Sequence, residues 1–241
     1  MPRYLIVLLL VCGLAASSVS AADLEKVGKL VQPLVDSESI VGCVVGIVDG
    51  DKHQVRGYGS THLGKEDTPN GDTVYEIGSV TKAFTGTLLA DMANRGEVKV
   101  DAPLQDFMPE GVKLHLFEDK PIRLVDVASQ TSGFPRIPDN FAPKGVTNPY
   151  AGYAADRMYE FLGKYKLTRA PGKYEYSNFG MGMLGTILAK KAGQPYEQLV
   201  VDRICKPLKM EDTRITLTDE QRKRLAPPYN RGLLPEKNWD F

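Results

Sequence analysis

Hydrophobic positions change period several times along this chain, and each change marks an element. Leu24, Val27, Leu30, Val31 and Leu34 recur at helical spacing and predict a first amphipathic helix. From Ile40 to Val48 the run turns Val- and Ile-rich, Asp49-Gly50 is a hairpin signal, and His53 to Tyr58 reads as the return strand. A Gly, Pro and Asn cluster from Gly64 to Gly71 is loop. Helical period returns over Ser79 to Arg95, with Phe84, Leu88 and Met92 on one stripe and Gly96 as the stop. A turn-rich stretch from Asp101 to Pro109 leads to a short helix over Pro121 to Gln130. Phe134 to Gly152, rich in Pro, Asn and Gly, reads as an ordered loop over a site. Helices are then expected over Ala155 to Leu162, over Phe179 to Ala192 with Ser177 or Asn178 as its cap, and from Pro195 to Ile204. Thr218 and Gln221 form a capping-box pattern for one more. Helices dominating behind a front hairpin make the fold class α+β.

The first residues follow a different logic. Arg3 gives a short positive region, Tyr4 to Ala16 an apolar core, and Val19-Ser20-Ala21 a small-residue cleavage pattern. Residues 1–21 are therefore expected to be a signal peptide, leaving a domain over 22–241 that works outside the cytoplasm, secreted or periplasmic. No stable membrane span is expected after cleavage, because the apolar stretch is short. Cys43 and Cys205 sit in apolar patterns and read as unpaired thiols. The 30 basic and 30 acidic side chains cancel, and no basic cluster interleaved with aromatics occurs, which argues against nucleic acid as a partner.

Candidate chemistry centres on two short motifs. Ser79-Val80-Thr81-Lys82 puts a hydroxyl and an amine one helical turn apart, the minimum needed to activate a serine without histidine. Tyr176-Ser177-Asn178 adds a second proton carrier and an amide, at a junction between an extended segment and a helix. A lone Ser-x-x-Lys occurs about once by chance in a chain of this size. The bland alternative is that Ser79 caps its helix and Tyr176 is a packed aromatic. Other catalytic patterns are missing: no Gly-x-Ser-x-Gly elbow, no His-Glu-x-x-His, no phosphate or dinucleotide fingerprint. No metal or cofactor is expected.

The segments Glu76 to Lys82, Arg95 to Pro103, Gln130 to Pro135, Pro171 to Asn178 and Lys206 to Met210 occur in that order. Together they closely resemble the class C β-lactamase-like serine hydrolases, which include β-lactamases, penicillin-binding D-Ala-D-Ala peptidases and related carboxylesterases. The resemblance runs from Ile40 to Phe241. It implies a β-lactamase/transpeptidase-like fold, a helical subdomain with an antiparallel sheet. It also implies Ser79 as acylated nucleophile, Lys82 and Tyr176 as proton-transfer residues, and Asn178 as the amide that orients Lys82 and the substrate carbonyl. Arg136 stands near a substrate-contacting position, and the Pro135-Arg136 pair tilts toward the peptidase branch. Gln130 stands where relatives carry histidine or tyrosine, and reads as structural.

The family's third motif, Lys-Thr-Gly or His-x-Gly on a later strand, is not found after Asn178. Lys26-Val27-Gly28 and His62-Leu63-Gly64 match by letters but precede Ser79, and read as coincidence. The expectation is thus a C-terminally truncated hydrolase whose sheet lacks strands. Loss of one oxyanion donor alone costs ~10²–10³ in rate. Expected ligands are β-lactams or peptidoglycan stem peptides, bound by a monomer. A carboxylesterase and an inactive, merely ligand-binding remnant stay open as alternatives.

Overall fold

The computed structural model describes residues 21–141 and 150–238. The leader expected over 1–21 lies outside them, apart from Ala21, as does part of the loop expected over Phe134 to Gly152. The chain divides into two units, one of residues 1–73 with 229–235, the other of residues 74–228 with 236–241.

The smaller unit holds α1 (Ala21–Asp36) and a hairpin of β1 (Gly42–Asp49) and β2 (Lys52–Gly59). The strands pair antiparallel from Gly42 opposite Gly59 to Asp49 opposite Lys52, and Gly50 takes the left-handed φ of +58° needed at the reversal. Tyr58 is buried, and its hydroxyl donates to the Leu24 carbonyl at 3.1 Å, tying β2 to α1. The apolar stripe is shifted from the one the periodicity predicts. Leu24, Val27, Gly28, Val31 and Val35 are the partly buried positions, while Leu30 and Leu34 are 74% and 46% exposed. Gly28 explains the shift: a Cβ there would lie 3.3 Å from the Tyr58 ring, so the helix approaches β2 on its smallest residue.

The larger unit is helical. It contains α2 (Thr81–Asn94), α3 (Leu124–Ala128), α4 (Ala155–Lys164), α5 (Asn178–Ala192), α6 (Tyr196–Val200) and α7 (Asp219–Lys223). Helix α5 is its axis. Phe179, Met181, Met183, Leu184, Ile187 and Leu188 are buried around most of its circumference, as expected of a helix enclosed by others. Leu88, Leu89 and Met92 of α2, Phe161 and Leu162 of α4, and Leu199 of α6 join the same core. Phe134 and Phe161 meet the Phe179 ring edge-on at 5.6 and 4.7 Å, packing the first turn of α5 into that core.

Boundaries differ from the expected ones where side chains intervene. The helix expected from Pro121 begins only at Leu124, because the Asp126 carboxylate accepts the Arg123 backbone N–H at 2.8 Å and fixes Arg123 as an extended cap. The helix from Pro195 leaves α geometry at Val201 and continues to Cys205 as a π-helical turn. The Thr218–Gln221 capping box forms as expected. Cys43 and Cys205 are free thiols, and burial pushes both above the ordinary thiol range. Among the described residues, no helix is long and apolar enough to cross a membrane.

Candidate active site

Ser79 enters the site from a 3-10 turn, Gly78–Val80, immediately before α2. The periodicity predicted a helix from Ser79 itself. The tighter turn requires φ of +50° at Gly78, which swings Ser79 to the exposed end of α2. Neither the turn nor α2 has a side-chain cap, so Ser79 is not spent on capping. Its Oγ lies 3.2 Å from Lys82 Nζ, which donates to it, and 2.6 Å from the Tyr176 hydroxyl. Lys82 reaches Ser79 because the two residues stand one turn apart on one face. Tyr176 arrives from 97 residues away.

Its segment is held at both ends. The Gln130 carbonyl accepts from Glu175 N–H at 2.7 Å, and the Gln130 side-chain oxygen accepts from Ser177 N–H at 2.5 Å. Gln130 itself sits at φ +63°. Ser177 caps α5, its Oγ accepting from Gly180 N–H at 2.8 Å while donating to the Pro135 carbonyl at 2.6 Å. Asn178 opens α5, and its backbone N–H donates to the Arg136 carbonyl at 3.0 Å. Its side-chain amide donates to the Tyr150 hydroxyl at 3.0 Å, while Lys82 is turned to Ser79. Tyr150 carried no motif signal and was not singled out in the sequence. It packs on Phe141 with ring centroids 5.2 Å apart.

Two cations approach the Tyr176 ring: Lys82 Nζ at 4.8 Å and the Arg136 guanidinium carbon at 4.9 Å from its centroid. Arg136, expected as a substrate contact, thus lies against the tyrosine. The Lys82 hydrogen bond and then the Ser79 hydrogen bond hold the Tyr176 phenol below its ordinary value against burial, with the Lys82 and Arg136 charges adding more weakly. The arrangement places a hydroxyl between an amine and an acidified phenol, which is what proton removal from serine requires.

A sequence profile of the family described as Beta-lactamase matches residues 27–239. The chain belongs to the beta-lactamase family. Among family members in Escherichia coli K12, it is 31% identical to D-alanyl-D-alanine-carboxypeptidase/endopeptidase AmpH over 99% of this chain and 63% of that protein. A beta-lactamase of the same strain is 28% identical over 86% of this chain and 52% of its own length. The crystal structure of a beta-lactamase/D-alanine carboxypeptidase from Yersinia pestis superposes with a TM-score of 0.73 at 32% identity, covering 83% of this chain and 59% of the other. The chain therefore spans about 63% of the length of the AmpH relative. Among the described residues the sheet has two strands.

Proposed function

We propose that this chain is an exported serine acyl-hydrolase that forms an acyl-Ser79 intermediate, with D-Ala-D-Ala stem peptides as substrate and β-lactams as their mimics. The observation that carries the reading is the placement of Ser79 Oγ within hydrogen-bond reach of both Lys82 Nζ and the Tyr176 hydroxyl. The D-Ala-D-Ala preference rests on the carboxypeptidase names of the 31% and 32% identical relatives. Export rests on the leader pattern of residues 1–21.

Ser79 Oγ attacks the carbonyl carbon of the scissile amide while its proton passes to the Lys82–Tyr176 pair. The Tyr176 phenol is held below its ordinary value, which raises the share of phenolate able to receive that proton. The tetrahedral adduct collapses, the C–N bond breaks, and the amine leaves with the proton. Water then attacks acyl-Ser79, releases the acid and returns a proton to serine. Asn178, one residue beyond the Ser177 cap, offers its amide to the substrate carbonyl once it leaves Tyr150.

The test is intact-protein mass spectrometry after incubation with benzylpenicillin. The expected result is a gain of one penicillin mass on the chain and none on Ser79→Ala. An unmodified wild-type chain with the penicillin still intact after hours at millimolar concentration would overturn the reading. A long-lived adduct supports the peptidase assignment, and release within seconds points to a β-lactamase instead.

A further inference from the structure

The Arg136 side chain is exposed, and its guanidinium makes no ion pair among the described residues. It lies instead against the Tyr176 ring, 4.9 Å from the centroid. We propose that Arg136 is a positioning residue for Tyr176: the guanidinium holds the ring over Ser79 and favours its phenolate over its phenol. The inference rests on the reading of Tyr176 as the proton carrier for Ser79.

The physical basis is charge acting on an aromatic ring. A cation is drawn to the face of a neutral ring, and more strongly to one that has become an anion. Arg136 thus stabilises the deprotonated form selectively. A guanidinium keeps its charge across the whole range in which a tyrosine titrates, so its influence does not fade as pH rises. The other groups facing Tyr176 are the Lys82 ammonium from α2 and the neutral Ser79 hydroxyl from the 3-10 turn. Glu175, its neighbour in the chain, is turned to Arg169 at 2.8 Å. Among the described residues, two cations and no facing carboxylate therefore bear on the phenol.

The backbone of Arg136 does separate work. Its carbonyl accepts the N–H groups of Asn178 and Phe179 at 3.0 and 3.3 Å, anchoring the start of α5. Replacing the side chain leaves these bonds in place. Arg136→Gln therefore removes the charge while keeping the loop.

The experiment is a pH titration by NMR of the chain labelled with 13C at tyrosine Cζ. The chain has 11 tyrosines, so Tyr176→Phe is used to assign the signal. Arg136→Gln is expected to raise the Tyr176 midpoint by about 0.4–0.7 pH unit. Arg136→Lys is expected to recover most of that change, and the acidic limb of penicillin acylation should move upward with the midpoint. An unchanged midpoint in Arg136→Gln overturns the proposal, including the case where acylation falls, because Arg136 then acts on the substrate alone. A shifted midpoint in a chain that never acylates leaves Arg136 in its role and removes the acyl-hydrolase reading.

Discussion

At the scale of single residues, Gln130, read as structural, holds the segment that carries Tyr176. Its two oxygens hold the backbone on either side of Tyr176, from Glu175 and from the buried Ser177. Gln130→Ala keeps the carbonyl bond and leaves Ser177 N–H without its acceptor, which costs about 1–3 kcal/mol when such a donor is buried. For a chain of this size that corresponds to a melting temperature lower by roughly 2–12 °C, measurable by thermal melt. Acylation by penicillin should slow by more than the fraction unfolded accounts for, because Tyr176 loses one of its anchors. Equal acylation rates in the two proteins would sink this account. Ser79 and Lys82 were legible in the sequence because helical spacing is local. Their partnership with Tyr176 was suggested by the paired motifs and strengthened by the family resemblance, since no local pattern joins residues 97 apart. Tyr150 was not legible at all, because its contact with Asn178 depends on the path of a loop rather than on periodicity.

At the scale of elements, the sequence conveyed which segments are helical or extended, and packing decided where they stop and which face they bury. Alternation and turn chemistry placed the hairpin within two residues of its observed strands. The α1 stripe failed at Leu30 and Leu34 because Gly28, not a large residue, sets the line of approach to Tyr58. Glycine plays the same part on β2. A Cβ at Gly57 would lie 1.6 Å from the Pro69 carbonyl oxygen, a backbone atom that no rotamer change can move. Gly57→Ala must therefore push the 64–71 loop off the hairpin, at a cost of more than about 2 kcal/mol. Limited proteolysis is expected to cut this variant first within residues 60–73, at protease concentrations that leave the wild type intact. Gly46→Ala, where an added Cβ meets nothing within 4 Å, is the control and should resist cleavage as the wild type does. Cleavage of both variants alike would show that the close approach does not constrain the loop.

At the scale of the whole molecule, the α+β class was legible from element order, but the division into two units was not. Tyr229–Pro235 rejoins the unit formed by the first residues, where the Tyr229 hydroxyl accepts from Leu63 N–H at 2.9 Å. Such a return leaves no trace in local periodicity. What does act across the whole chain is charge. The 30 acidic groups balance 30 basic ones at neutral pH, and several carboxylates are held below their ordinary values by partners in the fold. Arg224 does this to Asp212. At Asp91 burial pushes upward, and Arg95 with Arg203 outweighs it. At Glu197 burial is likewise outweighed, by the backbone N–H groups of Thr216 and Ile215. A carboxylate depressed by folding contributes stability above its unfolded value, and that contribution is lost as pH falls through its folded value. Their ordinary values are 3.8 and 4.5, so melting temperature should be nearly level from pH 7 to 5 and fall steeply below about pH 4. Protonation also leaves the 30 basic groups unbalanced, and their mutual repulsion adds to the loss. Asp212→Asn removes one depressed carboxylate, so its melting temperature should lie below the wild type at pH 7, and the gap should narrow as pH falls below 3.8. A constant offset between the two across that range would show that the Asp212–Arg224 pair adds no acid-sensitive stability to the fold.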